Sequence, residues 1–121
     1  MNNEYSCAKV LALLVLIQPT ISSAKTITNE DICKASIGTI LGRVPSLMKI
    51  DNIQENVVYL SYIRKNDGTK WSYKCKLEGD RIIWGTAAGR WKTDDVVTYE
   101  VSGNTVTITD RATSTTESHS F

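Results

Sequence analysis

Side chains able to do bond-making chemistry are sparse in this chain. Its single histidine, His119, lies two residues from the C-terminal end in a polar Ser/Thr-rich stretch. A general base needs a fixed orientation and a partner, so His119 is expected in solvent. With no second histidine, neither a serine nor a cysteine triad of the usual kind can be assembled. The adjacent carboxylates Asp94 and Asp95 point apart on an extended segment. They lack the dense oxygen ligands that calcium needs, and are expected in an ordinary turn. Metal ligation, a cofactor and catalysis are therefore not expected, and the residues worth weighing are those that bind.

Two groups qualify. The first is Arg90-Trp91-Lys92, a Trp between two cations in a stretch without periodicity to bury it, a composition suited to partner contact. The second is a set of lysines with one tyrosine, Lys65, Lys70, Lys74, Lys76 and Tyr59, which share one side of a hairpin if their segments pair as antiparallel strands. Such a face suits an anionic surface, although lysines on the solvent side of strands also guard against aggregation. No arginine-aromatic platform accompanies them, which argues against nucleic acid. Trp71, Tyr73, Trp84 and Tyr99 admit two readings, a packed core or the lining of a pocket for an apolar ligand.

The elements that position these residues must come from the chain beyond residue 24. Met1 to Ala24 has the layout of a secretory signal peptide: a short n-region with Lys9, an apolar run from Val10 to Ile17, and small residues ending at Ala24. The run is far shorter than the roughly 20 residues that cross a bilayer as a helix. Residues 25–121 then form one small domain. Cys7 leaves with the leader, and Cys33 and Cys75 remain as a single possible pair, expected to be a disulfide in an oxidising compartment. Without Lys9 and Glu4 the 14 basic and 13 acidic residues become 13 and 12, so net charge selects no partner.

The spacing predicts a helix over Asn29 to Leu41, with Thr28 as N-cap, Asp31 three residues on, and Gly42 and Pro45 ending it. Cys33, Ile37, Ile40, Leu41 and Val44 form its apolar stripe. Beyond Pro45, antiparallel strands are joined by tight turns. A two-residue turn at Asp67-Gly68 sets Arg64 opposite Trp71 and Tyr62 opposite Tyr73. Gly79-Asp80 sets Cys75 beside Trp84, and Gly103-Asn104 pairs Tyr99 with Ile108. A strand from Met48 to Ile53 precedes them, and the tail ends as an edge strand near Phe121. The expected fold is α+β: one N-terminal helix packed on an antiparallel meander of five or six strands, curled or partly closed into a barrel.

Asp67-Gly68-Thr69-Lys70-Trp71, Cys75, Arg81-Ile82-Ile83-Trp84 and Gly89-Arg90-Trp91 resemble, in order and spacing, small exported bacterial proteins of unassigned function. The resemblance implies a fold and an exported location, periplasmic or secreted, and no activity. The expectation is a non-catalytic extracytoplasmic module that contacts a protein or an anionic envelope component through Trp91, Arg90 and Lys92 or through Lys70, Lys74, Lys76 and Tyr59. The alternative is a small apolar-ligand carrier with an aromatic-lined cavity.

Overall fold

The computed structural model describes residues 25–121; the leader assigned to residues 1–24 lies outside the described residues. Helix α1 (Asn29–Leu41) starts on a capping box: the Asp31 amide donates to Thr28 Oγ1 at 3.2 Å, and the Thr28 amide donates to Asp31 Oδ2 at 3.1 Å. It stops at Gly42, whose φ of 69° is left-handed. There the Arg43 amide donates to the Gly38 carbonyl and the Gly42 amide to that of Thr39, which satisfies two otherwise orphaned acceptors. The chain turns back so tightly that a Cβ on Gly38 would stand 2.7 Å from the Arg43 carbonyl oxygen.

Seven strands come after it in one antiparallel sheet whose spatial order is their chain order: β1 (Lys49–Gln54), β2 (Val57–Ile63), β3 (Lys70–Glu78), β4 (Arg81–Thr86), β5 (Val97–Ser102), β6 (Thr105–Asp110) and β7 (Thr115–Ser120). The α+β class is as expected. The sheet is open, however, with β1 and β7 as its edges, and it has seven strands rather than five or six. The seventh is β7, the edge strand expected in the tail near Phe121. A Ser/Thr-rich tail carries no apolar alternation, and this strand is held by backbone pairing to β6 and by hydroxyl pairs such as Thr107 with Ser118 at 2.8 Å.

Helix α1 covers one face of the sheet. Cys33, Ala35 and Ile37 are sealed against Leu60, Cys75, Ile82, Val97, Val106 and Ile108, all without solvent exposure. The Cys33–Cys75 disulfide ties helix to sheet across a Cα separation of 5.9 Å. Trp84 stands opposite Cys75 in the ladder, as expected. Tyr73 lies between Tyr62, stacked at 6.5 Å, and Trp84 at 6.3 Å, and burial pushes its phenol pKa upward.

Two of the three anchoring turns have the expected register, with Gly79 and Gly103 left-handed at the first loop position. The third differs. Tyr62, not Arg64, pairs with Trp71, and Leu60 pairs with Tyr73. Asp67 and Gly68 belong to a four-residue loop, Lys65 to Gly68, closed by the Arg64 amide donating to the Thr69 carbonyl and the Gly68 amide donating to that of Arg64, each at 2.8 Å. The Asp67 carboxylate prefers a local partner: it accepts from the Thr69 hydroxyl at 2.6 Å and from the Thr69 amide at 3.0 Å, and these bonds hold its pKa below the usual range. The shift is two residues, an even number, so every side chain keeps its predicted face.

Two burial expectations fail at this end of the molecule. Val44, assigned to the helix stripe, lies beyond the Gly42 stop and is exposed. Trp71 is on the inward side but 40% exposed, because α1 ends before covering it. Arg64 still reaches the indole, with its guanidinium carbon 5.2 Å from the ring centroid. Trp71→Ala should therefore cost about 1–2 kcal/mol, less than removal of a sealed aromatic, measured by denaturant unfolding. A loss above 3 kcal/mol would mean that the indole is buried.

Candidate functional site

The outer face of β3 and β4 brings together residues that stand far apart in the sequence. Lys74 and Lys76 project from β3 to that face. Between β4 and β5 the ladder has only two pairs, and residues 87–96 fold back over β4. Gly85 makes this possible, since any Cβ there would collide with the Arg90 carbonyl oxygen. The Lys92 amide donates to the Trp84 carbonyl at 2.7 Å, and the Arg81 guanidinium holds the carbonyls of Thr93 and Asp95. Asp94 and Asp95 thus lie in the turn expected of them.

Folding back lays the half-buried Trp91 against the lysines. The Lys74 ammonium is 4.5 Å and the Lys76 ammonium 4.7 Å from the Trp91 ring centroid. Lys74 also donates to the Gly89 carbonyl at 2.7 Å. Beneath the loop, Ile83 is buried on what would otherwise be a solvent face. The expectation that the lysine face is purely exposed is thus corrected for Lys74 and Lys76, which are half-buried and pin the loop. Lys74→Ala should cost about 1 kcal/mol through the lost hydrogen bond and ring contact. A midpoint unchanged in chemical denaturation would place the loop elsewhere.

The remaining predicted residues divide. Tyr59 is the cross-strand neighbour of Lys74, and Arg90 is exposed beside Trp91. Lys92 is exposed and turns toward Trp84, its ammonium 5.5 Å from that ring. Lys70 belongs elsewhere: it pairs with Asp51 at 3.8 Å near the β2–β3 loop, and Lys65 lies in that loop.

His119 is not solvated as expected. Its position in β7 turns it toward α1, where Nε2 lies 2.9 Å from Thr39 Oγ1 and 3.5 Å from Glu117 Oε1. A hydroxyl, an imidazole and a carboxylate together suggest a nucleophile, a base and an orienting acid. Both oxygens address the same nitrogen, however, whereas a relay needs the acid on Nδ1. Thr39 is also buried within the helix. Among the described residues no group of three or more His, Cys, Asp or Glu is placed to hold a metal ion.

The aromatic set packs rather than encloses space: Tyr73 and Trp84 are buried within the core, and Tyr99 packs against it. Open grooves of about 600, 370 and 360 Å³ occur elsewhere, none of them lined by these four aromatics. One feature is not evident from the sequence, a cluster of exposed apolar side chains, Val44, Leu47 and Ile63. Ile63, an aliphatic residue at the end of the polar face of its strand, is its only local signal.

No family model, curated protein or solved structure matches this chain. The disulfide is compatible with export, and no helix among the described residues is long and apolar enough to cross a membrane.

Proposed function

We propose that this protein is a non-catalytic extracytoplasmic binding module that contacts a protein or an anionic envelope component. The observation that carries this reading is the Trp91 platform, an indole held in place by two ammonium groups with Arg90 beside it. An aromatic side chain already immobilised loses little entropy on binding, and the surrounding cations attract carboxylates or phosphates. The Cys33–Cys75 bond supports the location, since such a bond persists where the environment is oxidising. The packing of Tyr73 and Trp84 favours the module over an apolar-ligand carrier.

The test uses purified lipopolysaccharide and an acidic polypeptide as probes in calorimetric titrations. Trp91→Ala should weaken binding at least tenfold. Gly85→Ala, which displaces the loop while leaving Lys74 and Lys76 in place, should weaken it similarly. Binding that survives both substitutions would remove the platform from the mechanism.

A further inference from the structure

The exposed apolar side chains are not scattered. Val44 is 57%, Leu47 44% and Ile63 57% exposed, and they gather where the helix-to-β1 connection meets the β2–β3 loop. Val44, Leu47 and Ile63 line one groove of about 370 Å³ together with Arg43, Arg64 and Lys65. Leu47 and Ile63 also line a second groove of about 360 Å³, with Lys49 and Lys70. Side chains shared by two adjacent grooves stand on the ridge between them, so the apolar groups project outward. Such exposure costs stability in water and is uncommon as a contiguous patch unless something covers it.

The charges around the ridge indicate what covers it. Five cations, Arg43, Lys49, Arg64, Lys65 and Lys70, face two carboxylates, Asp51 and Asp67, in a chain whose formal net charge is +1. Two of the cations are further drawn over aromatic rings, Arg43 over Tyr62 at 5.7 Å and Arg64 over Trp71 at 5.2 Å. Projecting aliphatic tips ringed by Lys and Arg complement the boundary between acyl chains and anionic headgroups.

We infer that this end of the molecule docks on an anionic membrane surface, with Leu47 and Ile63 entering the acyl boundary and Arg43, Arg64 and Lys65 contacting lipid phosphates. The surface is distinct from the Trp91 platform and functions without it.

Co-sedimentation with vesicles tests the inference, using disulfide-bonded protein and comparing phosphatidylglycerol/phosphatidylcholine mixtures with phosphatidylcholine alone. Binding to the anionic vesicles should be at least tenfold stronger and should weaken as salt is raised. The double variant Leu47→Asp, Ile63→Asp should lose at least tenfold of that binding. Lys65→Glu should lose severalfold, and Trp91→Ala none. All of these positions are exposed or half-buried, and unchanged unfolding midpoints verify that each variant is folded. Equal binding to neutral vesicles, no vesicle binding alongside capture of an acidic polypeptide, or loss with Trp91→Ala while the Leu47/Ile63 variant still binds would each overturn the inference.

Discussion

Replacing Cys75 by Ser should lower the unfolding free energy by about 4 kcal/mol or more. The bond spans 42 positions of sequence, and in the chain-entropy treatment a closed loop of that size restricts the unfolded ensemble by about 4 kcal/mol. A second contribution comes from the folded state: both cysteines are without solvent exposure, so a serine hydroxyl placed there needs a hydrogen-bond partner in an apolar layer. Net stability of a domain this small is about 5–10 kcal/mol, so most of it is at stake. The check is equilibrium denaturation of the oxidised protein, its reduced form and the Ser variant. Reduction alone should reproduce the entropic part, and the variant should fall at or below the reduced protein. Equal midpoints for oxidised and reduced protein would show that the bond does not stabilise the fold.

Leu60→Ala should cost about 3–5 kcal/mol, whereas Ile63→Ala on the same strand should stay within about 0.5 kcal/mol. Leu60 is completely buried between Ile50 and Tyr73 in the ladder and packs in the core beneath α1; Ile63 points to the other side and is largely exposed. The two substitutions remove similar apolar volume, so the difference measures facing and burial alone. Urea titrations of both variants decide it. A larger loss for Ile63 would mean that the strand is turned over by a one-residue slip, which would place the core and the lysine side on the wrong faces. A neutral Ile63→Ala also separates stability from binding, because the side chain can then be varied in the vesicle assay without unfolding the protein.

Much of the frame was legible in local chemistry. The Thr28/Asp31 box and the Gly42 stop lie within one turn of the helix ends, and they bounded α1 correctly. Glycines at the first position of two-residue turns, Gly79 and Gly103, set two hairpin registers because so short a loop leaves a single pairing. The one pair of cysteines beyond residue 24, placed on inward positions of helix and strand, determined the disulfide. Alternation along β2 to β4 assigned the faces, and that assignment survived even where the Asp67 loop proved two residues longer, because the period of a strand is two.

Tertiary structure decided what depends on distance through space. Strand β7 carries no apolar pattern and exists because β6 offers it a backbone ladder. His119 is oriented by Thr39, 80 positions away in sequence. Trp91 meets Lys74 and Lys76 because Gly85 lets a loop lie flat on β4, a steric condition that no window around Trp91 contains. Val44 and Trp71 are left in solvent because α1 stops before covering the sheet's end, although their types suggested burial. Propensity, caps and turns act over a few residues and are written locally. Coverage depends on where one element ends relative to another, and that is settled only once the helix lies on the sheet.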